Sequence, residues 1–264
     1  MSTTNKKVSI LTVCFNSEAH ISENLNSVSR QTHQSIEHIV IDGDSTDNTV
    51  EIIKRHASSN SNFIWKSEPD KGMYDALNKA LDLASGDIIY CMNSDDQLAD
   101  PLVIEKVVEK FKTEPTSDLL IGDIDFLYSN KRRSKRRAIS VSSQDIALFG
   151  NCTFVPQPAM FISKNLCDKV GEFDLNYKIA SDYDFIIRAL AISGKKTIPL
   201  GFTTSIFRRH ENSLTETQSE TMLKETNIIS QKYRNDIKKT RSRNIYNTVR
   251  YLLKNPQVLT RRFL

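Results

Sequence analysis

The sequence predicts an α/β domain with a mostly parallel sheet and helices on both faces. Three observations predict it. Apolar strand-like runs alternate with helix-period stretches through residue 125. Several of those runs are continuously apolar, as strands buried on both faces are. The first four strands also end in acids or amides, as expected where an α/β sheet presents ligand-binding loops.

The elements follow in order. VSILTV (8–13) is the first strand, followed by a helical stretch with Ile21, Leu25 and Val28 on one face. IEHIVID (36–42) is the second strand, and Ser45 offers an N-cap for a helix bearing Val50, Ile53 and Ala57. FIWKSE (63–68) is the third. Residues 74–85 return to helical period, with Gly86 as the C′ stop. DIIYCMN (87–93) is the fourth strand, and Pro101 at N1 opens a helix to about Lys112. DLLIGDIDFLY (118–128) is the fifth. The basic run 129–137 then reads as a hairpin or an exposed loop. A strand near Ala159–Ser163, a helix from Ser181 to Ile192 and strands near 196–207 complete the body. From about Thr217 the tail has helical propensity, broken at Pro256.

Composition narrows the class. At 39% apolar and 26% charged residues, the chain is that of a folded protein rather than a disordered one. The net charge of +4 conceals an uneven distribution. Residues 228–264 carry +9 and Lys131–Arg137 carries +6, so the remainder sums to −11. No signal peptide is expected, because the first apolar run is short and breaks at Asn16. The longest uncharged stretch, Ile146–Ser163, holds two prolines and a glycine, which excludes a spanning helix. Cys14, Cys91, Cys152 and Cys167 lack CxxC spacing and are expected as free thiols in a reducing cytosol.

The chemistry concentrates at the strand ends: Asn16, then Asp42-Gly43-Asp44, then Glu68 to Gly72, then Asn93-Ser94-Asp95-Asp96. Three acidic ends on neighbouring strands repel one another without a cation, and Mg²⁺ or Mn²⁺ is the natural occupant. GxGxxG, GxxxxGK[ST] and GxSxG are all absent, which argues against dinucleotide oxidoreductases, P-loop NTPases and nucleophile-elbow hydrolases.

The series VSILTVCFN, IVIDGDSTDNT, SEPDKGMYDALNKAL, SGDIIYCMNSDD, GEFDLNYKIASDYDFIIRAL and FRRHENSLT resembles the family-2 glycosyltransferases of GT-A fold. The resemblance is closest to bacterial enzymes of surface-polysaccharide assembly and covers residues 8 to about 215. It implies a GT-A domain over 1–215, with a nucleotide-sugar half (1–125) and an acceptor half (126–215), followed by a basic helical extension (216–264). It also implies inverting transfer from a nucleotide sugar, most simply a UDP-sugar, to a glycan or lipid-linked acceptor.

Roles follow by resemblance. Asp42 falls where the family reads the base, with Thr12 and Asn16 in the same cleft. A carboxylate suits uracil, whose imide N–H it can accept. Asp44 and Asp47 read instead as helix-start charges. Asn93-Ser94-Asp95 stands at the DXD motif, with Asn for the first acid. Asp95 is the implied metal ligand, and His210 adds an imidazole. Asn93 reaches a ribose hydroxyl; Asp96 either contacts the donor or caps the loop. Arg208 and Arg209 can steady the diphosphate. Asp182 aligns with the acid of the family's ED motif and is the candidate base, although Ser181 replaces the usual Glu. Leu77 replaces an Arg that many relatives carry, which leaves Asp70 and Lys71 as donor contacts. Gln157 and Pro158 precede the acceptor-side strand.

The basic segments 131–137 and 228–264, with aromatic and aliphatic residues interleaved in the tail, fit an anionic membrane surface. The expected location is therefore cytoplasmic and peripheral to the inner leaflet. Nucleic acid is not expected as a partner, because no recognition module accompanies the charge. Oligomeric state stays open. A catalytically inactive sugar-nucleotide binder and a nucleotidyltransferase of similar fold are the alternatives.

Overall fold

The computed structural model describes residues 6–58, 60, 62–143, 145–146, 155–210 and 213–234. Among these, nine strands form one sheet: β1 (Val8–Cys14), β2 (Ile36–Asp42), β3 (Phe63–Ser67), β4 (Ile88–Asn93), β5 (Gln97–Leu98), β6 (Leu119–Tyr128), β7 (Arg133–Arg136), β8 (Met160–Ser163) and β9 (Ile198–Arg209). The order is β3-β2-β1-β4-β8-β6-β9-β5, with β7 paired to β6. β3, β2, β1 and β4 run parallel. β8 joins β4 and β6 antiparallel, and β9 lies parallel to β6.

β1 is buried along its whole length, which is why its sequence is apolar nearly throughout. Its alternate residues feed opposite faces. Leu11 and Val13 join the core formed with α3 (Met73–Leu83), α5 (Lys164–Val170) and α6 (Ser181–Ser193). Val8 and Ile10 pack with α4 (Val103–Thr113), while Cys14 meets α1 (Ile21–Ser29) and α2 (Thr49–Ala57). Two short elements complete the description, α7 (Leu214–Thr217) and α8 (Ser219–Arg234).

Several expectations shift. α2 starts at Thr49, because the Ser45 hydroxyl turns back to Asp42 instead of capping. α3 ends at Leu83 through an extended Ala84, and Gly86 is required by crowding rather than by helix termination. A Cβ there would come within 2.7 Å of the Ser9 nitrogen. α4 opens at Val103, two residues beyond Pro101. Of the two readings of 129–137 the hairpin holds, since Arg133–Arg136 forms β7 antiparallel to β6. β1 stands between β2 and β4, so the three acidic strand ends are not all neighbours.

The expected domain boundary at 215 cuts through packing. Ile229 of α8 is fully buried in the main core, and Tyr183 Oη pairs with Ser230 Oγ at 2.9 Å. Residues 235–264, including Pro256 and most of the basic tail, lie outside the described residues, as does Cys152. Cys14, Cys91 and Cys167 are buried free thiols. Among the described residues no helix is long and apolar enough to cross a membrane.

Candidate active site

The chain reverses its winding at β1: β2 lies on one side and β4 on the other. That topology opens a crevice beyond the carboxyl ends of the strands. Two groups of residues occupy its two sides.

On the β4 side, the loop Asn93–Asp96 is clamped from beneath by Asn24 of α1. Its amide donates to the Asn93 carbonyl at 2.8 Å and the Asp96 carbonyl at 3.1 Å. Ser17 and Ser94 share a hydroxyl contact at 2.8 Å, which ties the β1 loop to the same turn. Asp95 Oδ2 lies 3.0 Å from His210 Nε2, at the end of β9, and both side chains are partly exposed. Arg208 reaches the Asp95 carbonyl through Nε and pairs with Glu23 through Nη2. Asp96 behaves differently from its neighbour. It is fully buried, one oxygen accepts from the Arg208 N–H at 3.2 Å, and the other has no partner. Burial first, then the charge of Asp95, push its carboxyl well above the usual range. That favours a loop residue over an exposed donor contact. His20 lies beside His210, with ring centroids 5.6 Å apart.

On the β2 side, Asp42 is fully buried and its carboxylate is engaged internally. It accepts from the Ser45 N–H at 2.9 Å, the Ser45 hydroxyl at 2.5 Å and the Ser67 hydroxyl at 2.7 Å. Contact with a base would therefore require Ser45 or Ser67 to yield. Thr12 does not reach the cleft. It sits two residues deeper in β1, fully buried, with its hydroxyl at His38 Nε2 and Asn24 Oδ1. Asn16, exposed and at φ +46°, accepts from the Thr46 N–H and so joins the β1 and β2 loops. Asp47 caps Thr49 and holds Glu18, as a helix-start acid should. Asp70 accepts from the Gly72 N–H at 2.7 Å and lies close against Gly43, where any Cβ would strike it. Lys71 is exposed. Leu77 is core. Gln157 is also buried.

The third group is Asp182, in the first turn of α6. Its Oδ1 accepts from the Tyr183 N–H at 2.8 Å and the Tyr74 hydroxyl at 3.0 Å. Burial pushes its carboxyl up to about 6, against the opposing pull of those two bonds. Asp184 points elsewhere, into Arg188, Lys232 and Tyr233, and is held below the carboxylate range despite burial.

Asn24, Tyr74 and Glu225 escape the sequence reading. Each lies at a helix position whose periodicity reads simply as packing; only their polarity on a buried face could have flagged them.

Residues 9–171 match the model of Glycosyl transferase family 2. The chain is 36% identical over 194 residues to an uncharacterised glycosyltransferase of Mycobacterium tuberculosis, covering 72% of this chain and 71% of that one. It is 29% identical over 184 residues to a PGL/p-HBAD biosynthesis glycosyltransferase of Mycobacterium bovis, covering 69% of each. Among solved structures, S. aureus TarS 1–349 in complex with UDP-GlcNAc aligns with TM-score 0.64 and 24% identity. That alignment covers 78% of this chain but 60% of TarS 1–349, less than two-thirds of its length. The mannosyltransferase PcManGT from Pyrobaculum calidifontis, in complex with GDP-Man and Mn²⁺, aligns with TM-score 0.62 and 16% identity, over 98% and 73% of the two chains. The fold is therefore GT-A, and with a family match over more than half its length this chain belongs to glycosyltransferase family 2 and is a glycosyltransferase.

Proposed function

We propose that this glycosyltransferase moves a sugar from a UDP-sugar to a glycan or lipid-linked acceptor in surface-polysaccharide assembly, by single displacement with inversion. Asp182 carries the reading. Inverting transfer needs a carboxylate that takes the acceptor hydroxyl's proton as that oxygen attacks C1, opposite the departing nucleoside diphosphate. Asp182 is a half-buried acid with raised proton affinity, held at a helix start.

Asp95 and His210 would hold a divalent ion, Mg²⁺ or Mn²⁺, supplying one oxygen and one nitrogen donor. Among the described residues no group of three His, Cys, Asp or Glu side chains is placed to hold a metal. Two ligands fit an ion that completes its shell with the donor's diphosphate and water, since hard cations take about six ligands. When bound, such an ion supplies charge neutralisation to the leaving diphosphate. Arg208 stands beside Asp95 to add to it. Asn93, Asn16, Asp70 and Lys71 remain the donor-side contacts, with residues 1–125 forming the donor half. UDP is chosen because TarS is solved with UDP-GlcNAc; the GDP-Man complex of PcManGT supplies the competing nucleotide. We place the enzyme at the inner face of the plasma membrane through its basic segments.

The test is a thermal-shift panel of UDP-GlcNAc, UDP-glucose and GDP-mannose with and without Mn²⁺, followed by transfer or hydrolysis assays on Asp182→Asn. A Mn²⁺-dependent shift with a UDP-sugar, retained in an inactive Asp182→Asn, supports the reading. Full turnover by Asp182→Asn sinks the base assignment; a shift with GDP-mannose alone sinks the UDP assignment.

A further inference from the structure

α8 is an appendage in sequence, yet it reaches the candidate base. Glu225 is a buried carboxylate on that helix, and its partners are three successive backbone amides. Oε1 accepts from the Lys178 N–H at 2.8 Å, while Oε2 accepts from Ile179 at 2.9 Å and Ala180 at 3.0 Å. These amides immediately precede α6, where the chain turns to present Asp182. From the other side, the Tyr74 hydroxyl of α3 spans the Ile179 carbonyl at 2.8 Å and Asp182 Oδ1 at 3.0 Å. α8 is anchored one turn later by Ile229 and Ser230, and again by Lys232 and Tyr233 on Asp184.

We infer that Glu225 and Tyr74 are positioning residues for Asp182, forming a cradle that fixes the backbone from which the base projects. The inference rests on Asp182 as base. A buried carboxylate with three amide donors is strongly satisfied, because hydrogen bonds to a charged acceptor exceed neutral ones. An anion at a helix N-terminus is favoured for the same reason. A simple structural cap would not also set the proton affinity of the neighbouring acid, and here the two members of the cradle act on it with opposite signs. The Tyr74 hydroxyl favours the charged carboxylate, whereas the Glu225 charge disfavours it. On α6 itself Asp184 is tied to Arg188 and to Lys232 of α8, and Lys178 precedes the helix.

The experiment uses the free full-length chain and needs no ligand. The Asp182 carboxyl is followed by carbon-13 NMR, its signal identified by loss in Asp182→Asn, while amide exchange is read at 178–180. Wild type should titrate near 6. Glu225→Gln should lower the midpoint and speed exchange at these amides by roughly tenfold or more. Tyr74→Phe should raise the midpoint. Glu225→Asp keeps the charge but withdraws the carboxylate by one carbon, so it should speed exchange and leave the midpoint nearly in place. It also reads the exchange if Glu225→Gln does not fold. An unmoved midpoint in folded Glu225→Gln or in Tyr74→Phe overturns the inference and leaves the base assignment standing, as does unchanged exchange in a folded Glu225 variant. Turnover by Asp182→Asn removes the base and leaves the cradle.

Discussion

Asp182 and Asn24 show how single side chains set this site. If Asp182 is the base, as proposed, burial that pushes its carboxyl up to about 6 leaves it protonated and useless in that role below that value. The rate of transfer should therefore rise with pH through about 6 and level off above it. Asp182→Asn should lose about 10²–10⁴-fold in rate while its donor affinity stays within twofold or so of wild type. Asn24 acts without touching a ligand. Asn24→Ala strips the Asp96 carbonyl of this donor and leaves the Asn93 carbonyl with only the Asp96 N–H, at about 1–3 kcal/mol for the unsatisfied group. Both melting temperature and Mn²⁺-supported donor affinity should fall; retention of both would show that the clamp is dispensable. Asn93, Asp95 and His210 could be located by motif. Asn24 could not, because one asparagine on a helix face is uninformative until the fold shows what faces it.

Elements meet at two places where a small change should be felt throughout. Gly86 lies where the chain passes over the start of β1, and an added Cβ would lie 2.7 Å from the Ser9 nitrogen and 2.9 Å from the Lys7 carbonyl. Both are backbone atoms, one in buried β1 and one just before it, so Gly86→Ala should cost about 1–3 kcal/mol, read as a lower denaturant midpoint with an unchanged slope. Glu37 of β2 clips the same region. It accepts from Ser9 and Ser85 and pairs with Lys7 Nζ at 2.5 Å. Burial alone would raise its carboxyl, but the bonds from Lys7, Ser9 and Ser85 outweigh burial and hold it at about 2. A folded-state value below the unfolded one contributes stability above about pH 4.5 that is lost as pH falls through 2. Glu37→Gln should therefore be less stable at neutral pH and lose less on acidification over that window, as melting against pH would show. The alternation of apolar runs with helix-period stretches predicted most of the elements, but not β5 or α5. The predicted ends moved because Gly86 and Pro101 answer to partners distant in sequence, while Ser45 turns to Asp42 three residues back.

For the whole molecule, charge is the feature that the fold reorganises most. β7 displays Arg133 and Lys135 along the free edge of the β6–β7 hairpin, and Arg132 and Arg136 lie over Tyr128 and Phe126. Parallel to β6, β9 runs out through Arg208 and Arg209 to His210, so this basic edge adjoins the end of the sheet proposed to hold the metal. If the hairpin faces an anionic leaflet, Lys131→Glu with Arg133→Glu should reduce sedimentation with phosphatidylglycerol vesicles, at about 1 kcal/mol per basic residue lost. Binding to neutral vesicles should be unaffected. Equal sedimentation of the variant and wild type would end the membrane reading. Lys232, by contrast, is spent within the fold on Asp184.

The sequence by itself determined the class of fold, the order of its elements and the motif residues at the strand ends, because periodicity and turn chemistry are local properties. Family membership was also legible, since its signature is a series of short motifs in fixed order. Only the tertiary structure decided which of those residues remain available. It buried Thr12 against His38 and Asn24 and Asp42 among hydroxyls, separated Asp95 from its chemically identical neighbour Asp96, and brought Glu225 from the tail to the amides before Asp182. The physical reason is that desolvation and hydrogen-bond partners come from non-local packing. The same carboxylate is a ligand, a base or a buried strut according to what surrounds it.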